Sequence, residues 1–176
     1  MKSTRKWIAA IMAVLMLVLM AACGNGGNAA NENKAGYHTL EEIKAAGTIN
    51  IGVFSDKNPF GYVDENGEYQ GYDVYFARRL AEDLGVKVNF ISTEAANRIE
   101  YLKTGKVDVI LANFTVTPAR AEEVDFALPY MNVALGVVSP EGQVITTLED
   151  WDENDEMIVI SGTTAETLSL IHISEP

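Results

Sequence analysis

Val107-Asp108-Val109-Ile110-Leu111-Ala112-Asn113-Phe114-Thr115-Val116-Thr117-Pro118-Ala119-Arg120 passes from a run rich in β-branched residues into Asn, Thr, Pro and Arg. The first five residues predict a buried strand. The polar stretch after them leaves unpaired backbone groups, two hydroxyls and one guanidinium close together. That set suits a small carboxylate. Arg offers a planar fork for two parallel bonds, and Thr hydroxyls and free N–H groups supply the rest. Pro118 can open a helix whose N-terminus also favours an anion, with Thr117 as its cap. The competing reading pairs Arg120 on the surface with Glu122, Glu123 or Asp125, and makes Thr115 a plain strand-edge residue.

Working outward, the neighbouring segments alternate between strand and helix patterns. Leu40–Gly47 predicts a short helix closed by glycine. Thr48–Val53 predicts a strand, and Phe60–Gln70 a hairpin turning at Glu65-Asn66-Gly67. Asp73–Leu84 has helical apolar spacing and ends at Gly85. Val86–Ile91 predicts a strand and Ala96–Lys103 a helix. This order argues for a parallel α/β sheet, whose ligands sit beyond the carboxyl ends of the strands. Asn113–Thr115 falls there. Asp73 stands just before its helix and is expected to cap it rather than catalyse. Tyr62, Tyr72 and Tyr75 read as packing residues. Phe60 is a candidate for lining a cleft.

The N-terminus reads as an export signal. Lys2, Arg5 and Lys6 precede an apolar run from Trp7 to Met20, too short to span a bilayer comfortably, and Met20-Ala21-Ala22-Cys23-Gly24 comes next. It resembles the lipobox of bacterial lipoproteins, with Met20 where Leu is usual. The resemblance implies cleavage before Cys23 and lipid (palmitate among the chains) on its thiol. Cys23 is the only cysteine of the 176 residues, so no intramolecular disulfide can form. Residues 24–36 are mostly Gly, Asn and Ala and predict a flexible tether. Three of the 13 basic residues precede Cys23 and all 25 acidic ones come after it, so the remainder carries a formal charge of −15. Such a charge argues against nucleic acid and against adhesion to anionic lipid.

Several motifs match a known family in order and spacing. Gly71-Tyr72-Asp73-Val74-Tyr75-Phe76-Ala77-Arg78-Arg79-Leu80-Ala81 resembles the signature of the bacterial extracellular solute-binding proteins of family 3, the amino-acid receptors of ABC importers. Tyr75 stands where an acidic residue is common. Gly52–Tyr62, Lys106–Arg120, Val124-Asp125-Phe126, Pro129-Tyr130 and Ser161–Ala165 continue the likeness, which spans roughly Leu40 to Glu166. It implies a periplasmic-binding-protein-like (type II) α/β fold of two lobes closing on a ligand. It also implies this division: signal peptide 1–22, lipidated Cys23 and tether 23–36, lobe one with the first crossing strand (Met131–Ser139) 37–140, and the start of lobe two 141–167. Residues 168–176 stop following the family and resemble the translation of a sequencing adapter. Lobe one is thus expected to be largely present and lobe two only begun, with one strand and a stub of helix. That piece is expected to be poorly ordered.

The resemblance assigns roles. Arg120 would clamp the ligand α-carboxylate and Thr115 would donate to it. The Asn113 carbonyl would accept from the α-ammonium, and Thr163 and Thr164 would add donors from lobe two. Lys57 and Arg98 stand near positions where relatives keep aromatic rings. They suggest a polar or anionic ligand side chain, although either is equally readable as a solvated charge. Glu94–Arg98 with Ala112–Thr115 looks most like the branch of cysteine receptors, so cysteine and aspartate or glutamate both stay open. The expected partners are a free amino acid, an ABC permease with its ATPase, and the membrane through Cys23. The protein is expected to be a monomer on the extracytoplasmic face, with no cofactor and no metal. Asp152–Glu156 lacks the spacing and glycine of a calcium loop and reads as a solvated turn. No catalytic residue is assigned. A periplasmic enzyme of the dehydratase type and a ligand-sensing receptor domain are the alternatives.

Overall fold

A computed structural model describes residues 36–142, 145–147, 150–151 and 155–173, with side chains up to residue 169. The chain divides into two units, Met1–Asn33 and Lys34–Pro176, and every described residue belongs to the second. The signal segment, Cys23, nearly all of the tether and Asp152–Asn154 lie outside the described residues. Within the described residues no helix is long and apolar enough to cross a membrane.

Helix α1, Leu40–Ala46, starts at a reciprocal cap: the Thr39 hydroxyl accepts from the Glu42 N–H and the Glu42 carboxylate accepts from the Thr39 N–H. Gly47 closes it and β1, Thr48–Val53, begins at once. β1 is the central strand of a three-stranded parallel sheet, between β5 (Lys87–Ser92) and β6 (Val109–Ile110). A second, antiparallel sheet joins β2 (Asp56–Lys57), β3 (Gly61–Val63) and β4 (Tyr69–Gln70). Its turn carries Gly67 at φ 82°, as the Asn-Gly pair predicts.

Helix α2, Tyr72–Leu84, lays Val74, Ala77 and Ala81 on the parallel sheet against Ile49, Ile51 and Val53. Ile49, Ile51, Val53 and Val74 are essentially fully buried, each contributing about 1.5–3 kcal/mol from apolar area removed from water. A 3-10 turn at Ala95–Asn97 leads directly into α3, Arg98–Lys103. α4, Pro118–Ala121, starts with Pro118 behind the Thr117 cap, whose hydroxyl accepts from the Arg120 N–H. α5 spans Thr164–Ile173.

Three expectations need correction. The Val107–Leu111 strand shortens to Val109–Ile110, because only Ile51 and Gly52 of β1 lie opposite it in register. Asp108, just before β6, instead accepts from the Asn50 N–H and bonds His38. Met131–Ser139 joins no sheet among the described residues, and Val133, Leu135, Val137 and Val138 are exposed. Nor is there a described strand at 155–160, where Met157, Ile158 and Ile160 are exposed as well.

Candidate functional site at the carboxyl end of the sheet

β1, β5 and β6 run parallel, so the segments leaving them share one edge. From that edge come Phe54, Ala95 and Arg98, and Ala112 to Phe114. Phe54, Ala95 and Ala112 are buried together.

Arg98 is 3% exposed. It begins α3, and its side chain turns inward. Nε donates to the Ala95 carbonyl (3.0 Å). Nη1 donates to the carbonyls of Ala112 (3.0 Å) and Asn113 (3.2 Å), and Nη2 to that of Gly162 (2.8 Å). No carboxylate bonds it among the described residues. Its guanidinium lies 4.3 Å from the Phe114 ring centroid and 5.8 Å from that of Phe54. Burial, and secondarily the nearby Arg120 charge, lower its pKa to about 10. The group therefore stays cationic at neutral pH.

Arg120 is half-buried at the end of α4. Nη1 donates to the Thr115 carbonyl and Nη2 to the Gly162 carbonyl, both at 2.8 Å. Burial lowers its pKa as well. The surface ion pair imagined for it does not form: Glu123 bonds Lys103 at 2.6 Å. Phe114 lies within reach of both guanidinium groups, 4.7 Å from that of Arg120. Two cationic forks thus converge on one oxygen, the Gly162 carbonyl. Both bonds are charge-assisted, and such bonds are roughly twice as strong as neutral ones.

Gly162 can approach because it has no side chain. Its φ is 76°, and a Cβ there would collide with the Ala95–Ala96 backbone. The residues after it cap α5. Thr163 accepts from the Glu166 N–H and donates to the Ile160 carbonyl, while the Glu166 carboxylate accepts from the Gly162 N–H. The Thr163 hydroxyl is therefore already engaged. Thr164 opens the helix and is half-buried.

Asn113 has φ 46°, the one non-glycine residue among those described with positive φ. Asn tolerates this region better than most residues. Its peptide groups are held from both sides: the N–H donates to Asp73 Oδ2 at 3.1 Å and the carbonyl accepts from Arg98. The other Asp73 oxygen accepts the Tyr130 hydroxyl at 2.7 Å. Asp73 does not cap its own helix. Gly71 holds the cap position, and the Tyr72 and Asp73 N–H groups donate to the carbonyls of Pro59 and Phe60. Freed of capping, a carboxylate with no exposure reaches across to the 113 loop. Burial raises its pKa against the lowering effect of both hydrogen bonds, and burial with the Asp73 bond raises that of Tyr130.

The remaining sequence candidates sit differently. Lys57 lies on β2 and pairs with Asp56 at 2.6 Å, so its charge has a partner outside any ligand. Phe60 is half-buried, and its carbonyl receives the Asp73 N–H at the start of α2. Thr115 is exposed beside Arg120. Tyr72 and Tyr75, read as packing residues, are both exposed, although Tyr72 stacks on Tyr130 at 6.1 Å and Tyr75 meets Phe76 edge-on at 5.7 Å. Sequence reasoning missed the Asp73–Tyr130 bond and the Phe114 ring between the two arginines. Tyr130 stands in a recognised Pro-Tyr motif, but its partner lies 57 residues away and no spacing rule connects them.

The pattern of the bacterial extracellular solute-binding proteins, family 3, matches residues 49–164. The ABC transporter glutamine-binding protein GlnH of Bacillus subtilis is 29% identical over 161 residues, covering 89% of this chain and 59% of that one. The chain thus spans about three fifths of the length of this curated relative. Among solved structures, the cysteine-binding protein of Campylobacter jejuni is 60% identical with a TM-score of 0.61, over 63% of this chain and 46% of that one. The solute receptor for L-cysteine of Neisseria gonorrhoeae is 54% identical with a TM-score of 0.69, over 76% of this chain and 55% of that one.

Proposed function

The chain belongs to the bacterial extracellular solute-binding proteins, family 3, and from that premise we propose that it captures a small polar amino acid, foremost L-cysteine, for an ABC importer. The observation that carries this reading is the convergence of Arg98 and Arg120 on a single oxygen at the carboxyl end of a parallel sheet. An α-carboxylate taking the place of the Gly162 carbonyl adds a negative acceptor to the fork of Arg120, so that both partners of each bond are charged. The flanking Thr115 hydroxyl adds a donor, and the Asn113 carbonyl faces the α-ammonium. Arg98, spent on backbone carbonyls, shapes the wall. Thr163 and Thr164 bring the opening turn of α5 to the same place, favourable to an anion.

The choice of cysteine over an acidic ligand comes from the two extra cations. Lys57 and Arg98 favour an acidic side chain only while they are unpartnered, and Lys57 pairs with Asp56 while Arg98 holds four carbonyls. Two structures at 54% and 60% identity are named for cysteine, which points the same way. In this reading a lipid on Cys23 and the 23–36 tether keep the protein on the extracytoplasmic face. Residues 37–140 are lobe one, and residues 141–167 begin lobe two. Ligand contact with both walls favours the closed form, which docks on a permease driven by an ATPase.

Calorimetric titration of the chain with L-cysteine, L-aspartate, L-glutamate and L-lysine tests this. Cysteine is expected to bind most tightly and lysine not at all. Preference for lysine would contradict the reading, and preference for aspartate or glutamate would move the ligand to the acidic class.

A further inference from the structure

We propose that Asp73 is a positioning residue for ligand capture: its carboxylate ties the Asn113 N–H to the Tyr130 hydroxyl and so holds the Asn113 backbone in its left-handed conformation. The inference rests on the proposed amino-acid capture, in which the Asn113 carbonyl and the adjoining 115–120 segment meet the ligand. It concerns a residue that touches no ligand.

The geometry is specific. A buried carboxylate has two oxygens to satisfy, and here each has one donor from a different part of the chain, 40 and 57 residues away. Asn113 is gripped by an anion at its N–H and by a cation at its carbonyl. Both grips are charge-assisted, which is what a residue at φ 46° needs to stay there. The Tyr130 end is itself anchored, since Tyr72 donates to the Tyr130 carbonyl and the Tyr72, Phe76 and Tyr130 rings pack together. Tyr130 is the titratable group that bonds the carboxylate, and Tyr72 lies beside Tyr130. Arg98 bonds the far side of Asn113, and no lysine or arginine bonds Asp73 among the described residues.

Protonating Asp73 replaces an acceptor by a donor and loosens the Asn113 N–H. Burial raises the Asp73 pKa above the ordinary 3.8. Capture should therefore weaken as pH falls through that raised value, with the loop slackened while the sheet stays folded. The stability sign is opposite. A carboxyl whose folded pKa lies above its unfolded one stabilises the fold fully below the unfolded pKa and loses that contribution as pH rises through the folded one. Asp73→Asn at neutral pH is thus expected to leave the melting temperature unchanged or raised while weakening cysteine binding about 10-fold, the loss of one charge-assisted bond.

The experiment follows the Asn113 amide proton by NMR across pH 3–8 in the ligand-free chain, beside cysteine titrations at the same pH values, for the wild type, D73N and Y130F. The amide is expected to titrate in the wild type with a midpoint above 3.8, to be flat in D73N, and to shift its midpoint upward in Y130F, which removes a donor to the ionised form. Cysteine affinity should follow the same midpoints. A flat wild-type amide would overturn the inference, as would D73N losing stability and binding together with an unaltered pH profile. If no amino acid bound the wild type at any pH, the functional reading would fail and the capture role with it, while the amide titration would still report the Asp73–Asn113 bond.

Discussion

Residues 48–53 and the stretches 131–139 and 155–160 are all rich in Val, Ile and Leu, yet they end in opposite environments. Ile51 and Val53 are 0% exposed, whereas Val138 is 97% and Ile158 96% exposed. The difference is one of partners. β1 has a strand on each side and α2 across its face, so its backbone groups and its apolar side chains are satisfied together. Along 131–139 and 155–160 no ladder forms among the described residues. A β-branched run specifies a strand only where a neighbour completes it. Just beyond residue 160, the Gly162 carbonyl accepts from the two arginines at the edge of the sheet.

Amide hydrogen exchange should separate the regions most sharply. The amides of Ile49 to Val53 are expected to exchange only through global opening, and those of Ile158 to Ile160 to exchange with little protection. Strong protection at Ile158–Ile160 would break the contrast. Next in size, Ile51→Ala should cost about 2–5 kcal/mol in urea unfolding, because a packed site cannot collapse around the lost atoms. Val138→Ala should stay within about 0.5 kcal/mol. Similar losses for both would mean that the exposed run is packed in solution. The most local change expected is for Gly162→Ala. The positive φ costs about 1 kcal/mol, and the added Cβ meets the Ala95–Ala96 backbone. The 161–163 loop should leave the arginines while the sheet keeps its exchange protection. Loss of protection in β1 would instead make that contact part of the core.

Local signals carry most of the fold around the sheet. Thr48–Val53 reads as a strand because its inward residues alternate, and both Leu40–Ala46 and Tyr72–Leu84 stop at the glycines expected to end them. The short β6 is harder to read, because its length depends on register against β1 and on Asp108 turning towards Asn50 and His38. The site is legible in part. Arg120, Thr115 and Asn113 emerge from the 107–120 stretch, and the structure places that stretch beyond the carboxyl end of β6. The roles of Arg98 and Asp73 are not legible. Each is fixed by backbone groups or a phenol far away in sequence, and burial, not residue type, makes one a donor to backbone carbonyls in place of a surface charge and the other a partner of Asn113 and Tyr130 in place of a helix cap.

The central claim is that the Arg120 guanidinium takes the acid end of a free amino acid. Calorimetric titration of L-cysteine into the chain carrying Arg120→Ala, beside the wild type and Arg120→Lys, tests it most directly. The account predicts at least a 100-fold loss for alanine, roughly the 3 kcal/mol of a charge-assisted pair, and only partial rescue by lysine, which has no fork. Undiminished affinity in the alanine variant, with the fold intact by circular dichroism, would contradict it.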